Sequence, residues 1–160
     1  MKKNIRIILI ILIVAFIGIQ FVPVEKTNPP VTREVAWNSP QTKALADRAC
    51  MDCHSNNTVW PWYASVAPIS WRIAEHVNDG RRHLNFSTWD KPNEDLDEVK
   101  EQIEEGEMPL WDYAMMHPTA KLTEQEKNEL IRGLSDTFAA DPPVKRERRR
   151  RPPQGESEGE

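Results

Sequence analysis

The chain has 160 residues, with 21 Lys/Arg against 25 Asp/Glu and a formal net charge of −4. The acidic excess falls between residues 25 and 140, which argues against nucleic acid as a partner. Thirteen prolines, six tryptophans and six glycines, with almost no alternating β-branched runs beyond the first 24 residues, argue against a sheet protein. They predict an all-α fold of short helices joined by stiff loops.

Lys2, Lys3 and Arg6 precede an apolar run from Ile7 to Val24, interrupted only by Gly18 and Gln20. A cationic start and a run of that length predict a signal anchor, or transmembrane helix, over residues 1–24. It is preferred to a cleaved signal because no small-x-small site follows. The positive-inside rule keeps the three cations in the cytoplasm and places the chain from Glu25 onward outside. The expectation is a single-pass protein of the cytoplasmic (inner) membrane. The membrane is its partner through this helix, and the domain faces the periplasm or extracytoplasmic side. The proline-rich residues 25–40 read as an extended tether, with Trp37 either docked on the domain or a lone surface aromatic.

The domain is expected over residues 41–138. Thr42 to Ala49 predicts a helix running into Cys50-Met51-Asp52-Cys53-His54, which holds both cysteines of the chain. C-x-x-C-H is the spacing of covalent haem attachment. Two thiols one helical turn apart can each add to a vinyl group on one porphyrin edge. The next residue then offers an imidazole to the iron. A disulfide across so short a loop stabilises little. A thioredoxin-type pair needs a strand–helix–strand context, and zinc needs a distant fourth ligand. The haem reading is preferred to all three. Cys50 and Cys53 are candidates to hold one covalent haem c, and His54 is the candidate proximal iron ligand.

Residues 55–68 read as a turn-rich loop. Its Trp60, Trp62 and Tyr63 are candidates for a wall of the haem crevice, with ordinary core packing as the equal alternative. Pro68 to Asn78 predicts a helix with Ile69, Ile73 and Val77 on one face, stopped by Gly80. His76 and His83 are minor candidates for a second iron ligand. The cluster Arg81, Arg82 and His83 is solvated or meets the haem propionates, with Arg81 the candidate contact.

Leu84 to Pro92 reads as a loop and Asn93 to Glu105 as a helix capped by Asn93, with Leu96, Val99 and Ile103 on its apolar face. Gly106 ends it. Met108 follows, held between Gly106 and Pro109. A thioether on so stiff a loop is a good soft ligand for the distal side of the iron, with Met115, Met116 and His117 as alternatives. Thr123 to Glu126 predicts a capping box opening the last helix, which buries Leu130, Ile131, Leu134 and Phe138. Residues 139–160 are expected to be a disordered charged tail. Its basic run, Lys145, Arg146 and Arg148 to Arg151, is either solvated or directed at anionic lipid or an acidic partner.

The order helix, C-x-x-C-H, helices, G-x-M-P, helix resembles the class I cytochrome c arrangement. A closer resemblance rests on Cys50-Met51-Asp52-Cys53-His54-Ser55-Asn56, Pro61-Trp62-Tyr63, Pro68-Ile69-Ser70-Trp71, His76, Gly80-Arg81, Leu84-Asn85-Phe86-Ser87 and Trp89. Met108-Pro109, Tyr113 and His117-Pro118 fit the same pattern. Together these resemble the bacterial haem-binding domain family over about residues 35–138. The resemblance implies a small cytochrome c-like helical domain around one haem, in proteins that often carry an N-terminal membrane segment.

The expected function is that of a membrane-anchored, extracytoplasmic mono-haem c-type cytochrome. Its axial ligands are His54 and Met108, it transfers electrons with a redox partner protein, and it is not an enzyme. The alternatives are a haem-based sensor with a weak or absent distal ligand and a small haem peroxidase using one of its histidines.

Overall fold

The computed structural model describes residues 2–145. Helix α1 spans Lys2–Ile19, α2 Pro40–Ala49, α3 Met51–His54 and α4 Ile69–His83. After them come α5 over Leu96–Glu104, α6 over Trp111–Met116 and α7 over Glu124–Ala140. Short 3-10 turns cover Trp62–Ser65 and Pro118–Ala120, and β1 (Pro92–Asn93) pairs in parallel with β2 (Val144–Lys145). The protein is mostly helical, as expected.

The membrane anchor is corrected. Among the described residues no helix is long and apolar enough to cross a membrane. The physical reason is charge within the helix. The 18 residues of α1 include Lys2, Lys3 and Arg6 in its first turns and stop at Ile19, so its apolar part runs only from Ile7 to Ile19, with Gly18 inside it. At 1.5 Å per residue that is about 20 Å, short of a hydrocarbon core of about 30 Å. Gln20, beyond the helix end, clamps the body of the protein instead. Its Nε2 donates to the Ala67 carbonyl at 3.1 Å, and its Oε1 accepts from the Ala67 N–H at 3.0 Å. The single-pass location at the cytoplasmic membrane, and the periplasmic placement that followed from the anchor, lose their basis.

The segment expected to be a tether is packed on the domain. Val35 is buried, its N–H donates to the Phe86 carbonyl at 3.1 Å, and the Arg33 carbonyl accepts from the Trp89 N–H at 2.9 Å. Trp37 stacks at a tilt on Phe86, with ring centroids 4.9 Å apart. The stretch Leu84 to Pro92 is equally far from a surface loop. Leu84, Phe86 and Trp89 are core residues beside Leu130, Leu134 and Phe138 of α7.

Three local readings also change. Helix α2 starts two residues early because Ser39 caps it, accepting from the Thr42 N–H at 3.1 Å, with Pro40 in the first turn. Gly80 lies inside α4 and does not stop it. Asp95, not Asn93, caps α5 by accepting from the Glu98 N–H. Asn93 is buried, and its Oδ1 takes the Asn85 N–H at 2.7 Å. The capping box of α7 forms between Thr123 and Glu126.

Asp141, placed in the expected disordered tail, is a buried anchor. Its carboxylate pairs with Arg33 and accepts from the Ala36 N–H at 2.9 Å, and its carbonyl accepts from Trp89 Nε1 at 2.9 Å. The basic run continues into Arg146 and Arg148 to Arg151, which lie outside the described residues.

Candidate functional site

Helix α3 is one turn long and carries Cys53 and His54, with Cys50 at its N-terminal boundary. Its closure is local. The Cys53 and His54 N–H groups both donate to the Cys50 carbonyl, at 3.1 and 2.9 Å. Ser55 Oγ donates back to the Met51 carbonyl at 2.6 Å and accepts from the Asn57 N–H at 3.0 Å. Asp52 folds the next turn inward, its Oδ1 accepting from the Val59 N–H at 3.0 Å.

Two long-range devices fix this turn. One is the close approach of α4, where a Cβ on Gly80 would meet the Cys53 carbonyl oxygen at 2.7 Å. Glycine is present there because two backbones touch. The other is a buried amide ladder. The Asn56 N–H donates to Ser87 Oγ at 3.0 Å, Asn85 Nδ2 to Asn56 Oδ1 at 2.9 Å, and the Ser87 N–H to Asn85 Oδ1 at 2.9 Å. Buried polar groups satisfied in this way hold one geometry rather than several.

Cys50, Cys53 and His54 line one cavity of about 500 Å³, within the range of roughly 300–1,000 Å³ usual for cofactor sites. Leu84, Phe86, Val99, Ile103 and Leu134 give it an apolar wall, and Met108 and Tyr113 also line it. The two thiols are free. Burial, with Cys53 and Asp47 nearby, pushes the Cys50 thiol up to about 12. Burial, with Asp52 adding to it, pushes Cys53 up to about 11. Both therefore stay protonated near neutrality. Burial also lowers the His54 imidazole below its ordinary value of 6.5, against the pull of the Leu84 and Gly80 carbonyls. Its Nδ1–H donates to the Leu84 carbonyl at 2.9 Å, so Nε2 is the lone-pair nitrogen. That is the arrangement of a ligating histidine held by its other nitrogen.

Met108 stands on the loop after α5, where Gly106 takes φ +78° and the Met108 N–H donates to the Gln102 carbonyl at 3.0 Å. The positive φ needs glycine. Tyr113 donates its hydroxyl to Asp52 Oδ2 at 2.8 Å, which together with burial raises its pKa.

Other candidates lie elsewhere. Trp62 and Tyr63 line a second cavity and not this one. Trp60 lines neither, its Nε1 donating to Asn28 Oδ1 at 3.2 Å. The crevice wall expected from Trp60, Trp62 and Tyr63 is built instead from Leu84 to Phe86, α5 and α7. Arg81 is also reassigned. Its guanidinium donates to the Ser55 and Thr27 carbonyls at 2.7 and 2.8 Å, to Asn28 Oδ1 at 3.0 Å and to Thr58 Oγ1 at 2.8 Å. It pins the segment after α3 and does not line the cavity of Cys50 and Cys53. Met115, Met116 and His117 line the second cavity. His83 lines the first but pairs with Glu94, and His76 lines both.

The apolar wall and the donor set of imidazole, thiols and thioether fit a porphyrin whose iron takes a nitrogen and a sulfur ligand. Fold and site together define a small helical protein with an apolar cavity of cofactor size beside its two cysteines and His54. A family model described as a haem-binding domain matches residues 14–136. The chain belongs to the haem-binding domain family, and haem is its cofactor. No curated protein and no solved structure matches it.

Sequence reasoning left the Leu84 carbonyl and the Asn56–Asn85–Ser87 ladder without a role. Their signal is the polar pair Ser55-Asn56 and the polar Asn85 and Ser87 alternating with apolar Leu84 and Phe86.

Proposed function

We propose that the protein is a mono-haem c-type electron carrier. Cys50 and Cys53 would hold the haem, their two thiols supplying the thioether attachments. His54 Nε2 is the proximal ligand and Met108 the distal one. When bound, the haem supplies a one-electron ferric/ferrous couple, and a His/Met pair raises its potential. With both axial positions filled by the protein, electron exchange with a redox partner protein is favoured over substrate chemistry. The chain is therefore a carrier and not an enzyme.

One observation carries this reading. Neutral His54, with Nδ1 committed to the Leu84 carbonyl, shares a single apolar cavity with both thiols and Met108. Leu84, Val99, Ile103 and Leu134 would exclude water from a bound haem, and the Leu84 carbonyl orients the His54 imidazole.

The test is an absorption spectrum of the full chain made with a c-type maturation system, before and after denaturation. Haem retained after denaturation, lost in Cys50→Ala/Cys53→Ala, is the expected result. A far-red methionine-to-ferric-iron band that vanishes in Met108→Ala completes it. Retained haem without that band would move the reading to a sensor with an open distal site. Absence of covalent haem would sink the c-type reading.

A further inference from the structure

The second cavity, of about 460 Å³, lies between the segment after α3, α4 and α6. Trp62 is 81% exposed and Trp111 72% exposed, yet both line this cavity with Tyr63. Indoles so open to water in a concave site are not core residues; they offer ring faces that a ligand would cover. Trp62 already meets Tyr63 edge-on, with centroids 5.7 Å apart.

Nearly every polar group in the cavity is taken. Asp52 accepts from the Val59 N–H and the Tyr113 hydroxyl. Asp112 accepts from Arg72 Nε at 2.6 Å and from the Tyr113 N–H at 3.0 Å. The Tyr63 hydroxyl and His117 Nε2 pair at 3.2 Å. His76 is half-buried and lines both cavities; its imidazole makes no hydrogen bond among the described residues, though it stands near enough to Asp112 to help lower that carboxyl. The two carboxylates oppose an anionic ligand. Asp112 is already paired with the Arg72 cation at 2.6 Å, and Asp52 takes two hydrogen bonds.

We propose that this second cavity binds a small, neutral, planar aromatic molecule bearing a hydroxyl group. Its ring lies against Trp62 and Trp111, and its hydroxyl pairs with His76. The size admits one or two fused rings. Cys53, His76 and Tyr113 belong to both walls, so the ligand lies beside the haem cavity.

The test is calorimetric titration of the full chain, haem-loaded and haem-free, with 2-naphthol and with naphthalene. Saturable one-to-one binding of 2-naphthol to both forms is expected, weakened several-fold in Trp62→Ala and in Trp111→Ala. His76→Ala should weaken 2-naphthol by about fivefold, the worth of one hydrogen bond, and leave naphthalene unchanged. His76→Gln should recover most of the difference, which also guards against a folding defect in the alanine variant. Four results would overturn the proposal. They are no saturable binding to either form, binding to the haem-free form alone, equal weakening of both probes in His76→Ala, and tighter binding of tetramethylammonium than of 2-naphthol. If no covalent haem can be loaded, the thioether reading fails separately, and the haem-free arm decides the cavity.

Discussion

The Nδ1 of His54 donates to the carbonyl of Leu84 at 2.9 Å, and the His54 carbonyl accepts from the Phe86 N–H at the same distance. The last residue of α3 is thus bonded, through ring and backbone, to a core segment thirty positions further along the chain. In the haem-free protein, His54→Ala leaves the Leu84 carbonyl unpaired and should cost about 1–3 kcal/mol in urea unfolding. His54→Asn places an amide N–H near the Nδ1 position and should recover most of that loss. Equal stability of the alanine variant and the parent would mean that Leu84 does not hold the ring.

Gly80 of α4 faces the Cys53 carbonyl so closely that a Cβ would lie 2.7 Å from its oxygen and 3.0 Å from its carbon. Backbone cannot step aside as a flexible side chain can. Gly80→Ala should therefore separate α4 from α3 and destabilise the protein by about 1–3 kcal/mol. Gly18→Ala, with nothing within 4 Å, is the control and should change stability little. A tolerated Gly80→Ala would refute the close contact.

Burial raises the Cys53 thiol from its ordinary 9.0 to about 11. The thiolate is the reactive form. At pH 8 the ionised fraction falls from about a tenth to about a thousandth, so iodoacetamide should alkylate Cys53 in the haem-free folded chain roughly a hundredfold more slowly than in urea. The Cys50 thiol, pushed up to about 12, should be slower still. Similar rates in folded and unfolded chains would show that the thiols are not sequestered.

Glu126 closes the cap of α7 with Thr123 and pairs with Arg48 of α2 at 2.6 Å. These bonds, the Thr123 N–H first, hold its carboxyl down at about 2 against an ordinary 4.5. Between those values the unfolded chain binds a proton that the folded chain does not, so this contribution is full above about 4.5 and is lost as the pH falls toward 2. Glu126→Gln keeps hydrogen-bonding atoms in place but cannot titrate. Denaturant midpoints measured across this window should fall less steeply in the variant. Parallel acid limbs would assign the loss to other groups.

Legibility in the sequence follows the range of the interactions. The capping box is readable because Thr123 and Glu126 satisfy each other within one turn. Helix α5 is readable from Leu96, Val99 and Ile103, but its cap is not. Asn93 and Asp95 are both competent caps, and the choice falls to Asp95 because Asn93 is drawn away to the Asn85 N–H. Gly80 carries the same letter whether it stops a helix or admits a neighbouring backbone; only α3 packed against α4 distinguishes the two. Trp62 and Tyr63 follow the C-x-x-C-H motif closely, but Cys53 borders two cavities, and nothing local says which one the aromatic residues enter.

By itself the sequence determines the helical class, the C-x-x-C-H constellation and the haem-binding family it belongs to. The first two rest on periodicity and on groups spaced within a helical turn, which need no distant partner; the family rests on a resemblance of short motifs spread from Cys50 to Pro118. Tertiary structure alone decides what lies around that constellation. It brings Leu84, Val99, Ile103 and Leu134 into one wall and commits Arg81 to Thr27, Asn28, Ser55 and Thr58. It ends the first helix at Ile19, with Gln20 bonded to Ala67. Each of these outcomes depends on burial and hydrogen bonds between residues far apart in the chain, where several partners compete for the same polar groups and packing selects among them.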